Sequence, residues 1–204
     1  AELGAKAGYC EPDQKTADAL AEWGAHDVDI DTWRSDADAT FAKTVKIDGD
    51  ALTPQVAAPS SPENAGPIDD HQGTTLDHAY LGACTVAQLD DLQIAAMFLK
   101  GRKIQSGFKF MVAPSSNAMG KQAREEGIMP IIEGAGGVVL PTGCCGCIGL
   151  GAARLEENAV GISSTNRNFV GRAGPKSSQL YLASPYTVAA SALKGEIADP
   201  REFL

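Results

Sequence analysis

The sequence predicts an α/β protein, layered α/β/α, with a mostly parallel sheet. One observation favours this fold class, and a second indicates a globular chain. After Gly73, short apolar runs alternate with segments of helical period, which is typical of parallel strands joined by helices. In addition, 44% of the 204 residues are hydrophobic and 21% are charged, which is the composition of a globular protein with one or two cores.

The first predicted β/α unit joins a strand at residues 76–83 to a helix at residues 86–99. Apolar residues from Leu89 to Leu99 recur on one helical face, and Gly101 supplies a C-terminal cap. The pattern therefore predicts a helix with one buried side.

The remaining elements follow the same rules. A strand is predicted at residues 108–112 and a helix at residues 115–126, which Ser115 or Ser116 can cap and Gly127 ends. Further strands are predicted at residues 137–140, 160–163 and 179–183, and a last helix at residues 185–193 between Pro185 and Gly195.

The beginning of the chain has a different composition. Residues 27–50 are rich in aspartate, and a proline-bearing stretch follows that is typical of a linker or an extended crossover. We therefore predict that residues 1–66 are the end of a preceding domain plus a linker, and that residues 67–204 form the α/β domain. Because the chain opens without methionine in a helix-like segment, we also expect it to be a piece of a longer polypeptide.

Composition argues against several kinds of partner. The net charge of −9 offers no basic stripe for a nucleic-acid backbone. Residues 134–153 are uncharged, but their seven glycines and Pro141 indicate a buried strand and loop and not a membrane span. Five cysteines, an odd number, favour metal or thiol chemistry over disulfides, and no leader pattern opens the chain, so we expect a cytoplasmic protein.

Three cysteines are placed to form one site. Cys144 and Cys147 have C-x-x-C spacing in a glycine-rich turn, which can present two thiolates to one metal centre. Cys84 follows the first predicted strand, and the C-terminal ends of parallel strands meet at one edge of a sheet. The spacing alone also allows a thioredoxin-like redox pair, while a zinc knuckle would need a second C-x-x-C pair.

These residue types permit hydration chemistry. Three thiolates on a cubane cluster would leave one iron open to a substrate hydroxyl and carboxylate, and such an iron is a Lewis acid. Arg167 and Arg172 follow the fourth predicted strand, and guanidinium groups bind carboxylates through paired hydrogen bonds. The residues therefore favour loss and addition of water on a di- or tricarboxylic acid.

Three motifs follow the predicted strands and carry a family resemblance. They are Gly82-Ala83-Cys84-Thr85, Gly143-Cys144-x-x-Cys147 and Asn166-Arg167-Asn168-Phe169-Val170-Gly171-Arg172. With these motifs the chain resembles the aconitase superfamily, most closely the branch of large subunits that act on 3-isopropylmalate or homoaconitate. The resemblance extends through nearly the whole chain, from Glu2-Leu3-Gly4-Ala5 to Asp199-Pro200-Arg201-Glu202.

The resemblance implies a 4Fe-4S cluster, an aconitase-type iron-sulfur domain and a hydroxy-dicarboxylic acid as the substrate. It also implies a partner, a small subunit or swivelling domain that carries a serine base, so that this chain alone is an incomplete hydro-lyase. The residues that match the family pattern are Cys84, Cys144 and Cys147 as metal ligands, Asn166, Arg167 and Arg172 as substrate-binding residues, and Glu2 as a catalytic residue.

Two departures from the family pattern bear on the site. Residues 86–88 (Val-Ala-Gln) stand where the family usually has Asn-Ser-Arg or Asn-Gly-Arg, which removes a polar neighbour of the cluster. Cys145 stands where large subunits usually have glycine. The alternatives are homoaconitate or 2,3-dimethylmalate as the substrate, a non-catalytic metal or redox module that uses Cys144 and Cys147, and a scaffold that has lost the cluster.

Overall fold

The computed structural model describes residues 5–204 and divides the chain into two compact units. The first ends at Ala51 and the second comprises Leu52–Leu204. The whole described sheet belongs to the second unit, while the first contributes one α-helix among its described residues.

The described part of the first unit has one α-helix, α1 (Gln14–Glu22). The Asp13 carboxylate caps this helix by accepting a hydrogen bond from the Thr16 backbone N–H at 3.1 Å. No residue between positions 5 and 51 is buried. These residues therefore lack an enclosed core of their own.

The second unit is built on one seven-stranded sheet. Its strands are β1 (Gln55–Ala57), β2 (Ala65–Pro67), β3 (His78–Gly82), β4 (Lys109–Ala113), β5 (Val138–Val139), β6 (Val160–Ser163) and β7 (Gln179–Ala183). Their order across the sheet is β2-β1-β7-β6-β3-β4-β5. The pairs among β3 to β7 are parallel, and β1 pairs antiparallel with β2 and β7. The α/β fold class and the mostly parallel sheet are confirmed.

The helices of the second unit pack on one face of the sheet. They are α2 (Leu89–Leu99), α3 (Asn117–Glu125), α4 (Ile128–Ala135) and α5 (Pro185–Lys194). Their buried side chains share a core with alternate strand residues such as Ala79 and Leu81. The other face, which bears Tyr80 and Met111, is covered by loops and short 3-10 turns. The predicted α/β/α arrangement has helices on both faces of the sheet. Within Leu52–Leu204, loops and 3-10 turns take the place of the helical layer on this second face.

Of the α-helices in the second unit, α4 is the one that the sequence patterns did not predict. The prediction ends the preceding helix at Gly127 and passes from there to the strand at residues 137–140, because glycine commonly follows the end of a helix. The structure has α4 between them, with Pro130 in its first turn, where proline is tolerated. Ile128, Ile132 and Ala135 are buried at helical spacing. This apolar period is the sequence signal from which the helix could have been predicted.

The proline-bearing stretch predicted as a linker contributes β1 and β2 to the sheet. Val56 in β1 pairs with Ala183 in β7 and is fully buried. The compact unit consequently begins at Leu52, before the predicted boundary between residues 66 and 67. That residues 1–66 end a preceding domain stays a prediction.

The uncharged run at residues 134–153 contains the end of α4, β5 and two 3-10 turns. Among residues 5–204, none of the helices has the length and apolar content that a bilayer crossing requires.

His78 is a buried histidine whose pKa is lowered. Its side chain is 4% exposed, and Nε2 has no hydrogen-bond partner among the described residues. Burial, followed by the positive charge of Lys109, lowers the pKa of His78 to about 4, while Asp77 acts in the opposite direction. The folded protein therefore protonates this histidine less readily than the unfolded chain does.

We predict that His78 makes the protein less stable in acid. Between its unfolded pKa of 6.5 and its folded pKa of about 4, the unfolded chain takes up a proton that the folded protein excludes. The free energy of unfolding should fall by about 3 kcal/mol across this window as the pH decreases. Urea unfolding at about pH 7 and about pH 4.5 measures the loss, and His78→Gln should remove most of it. An equal loss in the parent and the variant would assign it to other groups.

Candidate functional site

Three loops with reactive side chains leave the same edge of the sheet. β3 ends shortly before Cys84, β5 precedes the cysteine loop (residues 143–149), and β6 precedes the arginine loop (residues 166–172). β3 lies between β6 and β4 with parallel pairing, and β5 is the next strand beyond β4. The C-terminal ends of these strands therefore face one edge, and the structure brings the three loops to it.

The cysteine loop lies close against the sheet. The Cys147 backbone N–H donates to the Cys144 carbonyl at 2.8 Å within a 3-10 turn. Gly146 has no room for a side chain, since a Cβ atom there would lie 3.0 Å from Ala153 Cβ and 3.1 Å from Tyr80 Cγ. The absence of a side chain at Gly146 thus lets the loop backbone approach the face that bears Tyr80.

The three predicted ligands differ in exposure. Cys147 is 7% exposed and belongs to a buried cluster with Ala83 and Ala113, while Cys84 and Cys144 are exposed. Ala83 has a φ of 86°, a left-handed conformation that costs a residue other than glycine about 1–3 kcal/mol. Cys147 therefore belongs to the same buried cluster as the residue that directly precedes Cys84.

Arg172 contacts one of the predicted ligands. Its Nη2 atom donates a hydrogen bond to Cys147 Sγ at 3.5 Å, and its backbone N–H donates to the Phe169 carbonyl at 2.8 Å. Arg172 Nε is buried and has no partner among residues 5–204. This charged N–H···S contact is additional to the role in carboxylate binding that the sequence predicts.

The remaining residues of the arginine loop have different environments. Asn166 is exposed and Arg167 is half-buried. Asn168 is 2% exposed, and its Nδ2 atom donates to the carbonyls of Ala58 and Leu180 at 2.9 and 3.0 Å. Asn168 therefore anchors the arginine loop to the segment after β1 and to β7. Asn166 and Arg167, which precede it, lie nearer the surface.

Tyr80 is a residue of this site that the sequence analysis missed. Its side chain is 3% exposed, and its hydroxyl has no hydrogen-bond partner among the described residues. Burial, followed by the negative charge of Cys145, Cys147 and Cys144, raises the pKa of the Tyr80 phenol above its usual range. A weak interaction of the Gly146 backbone N–H with the phenol oxygen, too poorly aligned to count as a hydrogen bond of ordinary geometry, opposes this shift. The phenol therefore stays neutral and keeps its proton for donation.

No three His, Cys, Asp or Glu side chains between residues 5 and 204 stand close enough to share a single metal ion. In a cubane cluster each thiolate binds a different iron, so its ligands are spaced more widely than those of one ion. Glu2, the predicted catalytic residue, lies outside the described residues.

The fold and site define an α/β domain in which the Cys84 segment, the cysteine loop and the arginine loop follow the C-terminal ends of parallel strands. The sequence model of the aconitase family (aconitate hydratase) matches residues 1–75 and 69–195. The chain therefore belongs to the aconitase family, which confirms the resemblance carried by the three motifs.

The chain is similar to large subunits of one enzyme. It is 43% identical to 3-isopropylmalate dehydratase large subunit 2 of Archaeoglobus fulgidus, over 100% of this chain and 49% of that protein. The corresponding large subunit of a Sulfurihydrogenibium species is 40% identical over 98% of this chain and 46% of that protein. The Picrophilus torridus large subunit is 38% identical over 99% of this chain and 48% of that protein. The chain thus spans about half the length of the curated relatives it matches.

We predict that Gly149 is essential for the packing of the cysteine loop. Its φ is 66°, and a Cβ atom there would lie 2.8 Å from the Ala173 carbonyl carbon. Gly151 has a similar φ of 63° but nothing within 4 Å of that position. Gly149→Ala should therefore lower the free energy of unfolding by about 3 kcal/mol, and the control Gly151→Ala by about 1 kcal/mol, in urea denaturation. Equal losses would contradict the close packing against Ala173.

Proposed function

We propose that this chain is the cluster-binding part of a hydro-lyase of the 3-isopropylmalate dehydratase type, which removes water from a hydroxy-dicarboxylic acid and adds it back. The observation that carries the proposal is the meeting of the Cys84 segment, the cysteine loop and the arginine loop at one edge of the sheet. Membership in the aconitase family and the names of the relatives support the same activity.

The groups at this edge suit an iron-sulfur cluster, which the family also implies. Cys84, Cys144 and Cys147 would hold a 4Fe-4S cluster through three thiolates. The Tyr80 hydroxyl and Arg172 Nε are buried donors without partners among the described residues, and such donors suit sulfur acceptors. When bound, the cluster supplies an iron without a thiolate ligand, which acts as a Lewis acid toward the substrate hydroxyl.

The arginine loop would bind the carboxylates of the substrate. Arg167 is half-buried at the sheet edge, where its planar guanidinium can bind a carboxylate through two parallel hydrogen bonds. Arg172, already in contact with Cys147 through Nη2, would bind a carboxylate close to the cluster. Asn166 is exposed beside Arg167 and would donate a further hydrogen bond. Holding the carboxylates orients the substrate for reaction.

Proton transfer is assigned to groups outside the described residues. The carboxyl group of Glu2 would exchange a proton with the departing or attacking water. A serine on a small subunit or swivelling domain would take the proton from the neighbouring carbon. The relatives are named large subunits and are about twice as long as this chain, which supports both a small-subunit partner and further residues of the large subunit.

The exact substrate and the compartment are further parts of the proposal. The relatives' names favour 3-isopropylmalate over homoaconitate or 2,3-dimethylmalate, which would place the chain in leucine biosynthesis. A net charge of −9 is unsuited to a nucleic-acid partner. All five cysteines are free thiols, which supports a cytoplasmic location.

A metal or redox module of Cys144 and Cys147 alone is the competing function. It would give Cys84 and the arginine loop no part in the chemistry, although both lie at the same edge as the C-x-x-C pair. All three predicted ligands lie in segments at that edge of the sheet. This likewise argues against the alternative of a scaffold domain that has lost the cluster.

We predict that Cys84→Ser, Cys144→Ser and Cys147→Ser each prevent stable cluster binding, because each removes one of three thiolates. Iron and acid-labile sulfide per chain, measured after anaerobic reconstitution, report the result. Cys10→Ser and Cys145→Ser serve as controls that should keep the parental content. A parental content in Cys84→Ser would refute the three-ligand arrangement, and its loss only in Cys144→Ser and Cys147→Ser would favour the competing module.

We predict that Arg167→Lys weakens substrate binding and leaves the cluster intact. Lysine keeps the charge but loses the planar fork, and a lost charge-assisted hydrogen bond of about 1.5–3 kcal/mol raises KM by about ten- to a hundred-fold. The assay uses the assembled enzyme with its partner subunit, and visible absorption monitors the cluster. Arg154→Lys is the control, since Arg154 lines a cleft with Asp77 and His78 at the opposite edge of the sheet. A parental KM with a bleached cluster would make Arg167 a structural residue.

A further inference from the structure

The Tyr80 side chain occupies the space between the cysteine loop and the end of β3. Its ring packs under Gly146, where a Cβ atom would lie 3.1 Å from Tyr80 Cγ. Its hydroxyl end reaches Gly82, where a Cβ atom would lie 2.7 Å from Tyr80 Oη. Gly82 is followed by Ala83 and Cys84, so the hydroxyl lies between two segments that carry the predicted cluster ligands.

The same hydroxyl is buried without a partner. Tyr80 is 3% exposed, and Oη forms no hydrogen bond of ordinary geometry with residues 5–204, although the Gly146 backbone N–H interacts weakly with the phenol oxygen. The hydroxyl hydrogen therefore has no acceptor among these residues. A phenylalanine would fill the space equally well and would bury no hydroxyl, whereas an unpaired buried hydroxyl destabilises a fold. The groups that act on it electrostatically are the thiols of Cys145, Cys147 and Cys144. The Ala113 carbonyl oxygen also lies nearby, 3.0 Å from the Cβ position at Gly82, but Oη forms no hydrogen bond with it. The sulfurs of the cysteine loop are the other acceptors near the hydroxyl.

We propose that Tyr80 is a positioning residue of the iron-sulfur site, whose hydroxyl donates a hydrogen bond to a sulfur of the cluster or of the thiolates that hold it. The proposal rests on the proposed function, because its acceptor belongs to the cluster site. A hydrogen bond to sulfur draws electron density from the cluster and raises its reduction potential. Because the side chain is buried beneath the cysteine loop, Tyr80 acts through the cluster and does not touch the substrate.

The test compares Tyr80→Phe with the parent protein after anaerobic reconstitution. Tyr80→Phe should bind the parental amount of iron and sulfide, show a lower midpoint potential and lose iron to a chelator about tenfold faster, which is the effect of one hydrogen bond to a charged acceptor. Tyr181→Phe is the matched control. Tyr181 is a partly buried tyrosine of β7 that packs with the helical core and against His71, with ring centroids 5.6 Å apart, and its variant should behave like the parent.

Two measurements separate this role from a merely structural one. Without the cluster, Tyr80→Phe should unfold at the parental temperature or above it, because the variant lacks the unpaired hydroxyl. Equal destabilisation with and without the cluster would overturn the proposal. In the reduced, cluster-loaded protein, electron-nuclear double resonance after exchange into D₂O should detect one deuteron fewer near the cluster in Tyr80→Phe. The same deuteron signal in parent and variant would also overturn it.

Failure of this inference is distinguishable from failure of the proposed function. A parent protein that binds no iron and sulfide refutes the proposed function, and the inference falls with it because the acceptor is lost. A parent protein whose cluster keeps its potential and iron-release rate in Tyr80→Phe refutes the inference alone.

Discussion

The parallel pairing of β3 with β6 on one side and with β4 on the other is the constraint on which the rest of the site depends. In this register His78 lies opposite Gly161 in β6 and opposite Lys109 in β4. Since all three strands run in the same direction, the chain leaves each of them at the same edge. A slip of β3 by one residue would turn Tyr80 and Gly82 toward the helices, and the cysteine loop would lose the surface on which it packs.

The two faces of the sheet serve different purposes. On one face, α2 to α5 bury a continuous apolar core, which stabilises the sheet without help from the site. On the other face, Gly146 has no side chain, so the backbone of the cysteine loop can approach the strands closely. A helix with its full set of side chains could not come as near. The cysteine loop can therefore lie close over Tyr80 while the helical core holds the strands in place.

Buried donors and sulfur atoms determine the electrostatics of the site. The Arg172 guanidinium contacts Cys147 from the arginine loop, and the Tyr80 hydroxyl lies beneath the cysteine loop. Residues 86–88, where the family usually has polar side chains, are used differently: Ala87 is buried in the helical core, and Gln88 is the N-cap residue of α2. The hydrogen-bond donors of the site therefore come from β3, through Tyr80, and from the arginine loop, through Arg172. Because both groups are buried, leaving either one without an acceptor destabilises the fold.

The sequence by itself determined the alternation of strands and helices after Gly73, because apolar period and helix caps are local properties of the chain. It also determined the family, through motifs that each occupy a few consecutive residues. It did not reveal β1 and β2, which are short, contain proline and become strands only by pairing with β7. Tertiary structure alone decided that Asn168 anchors the arginine loop and that Tyr80 lies under the cysteine loop. Both depend on contacts between residues far apart in the sequence, which no local pattern records.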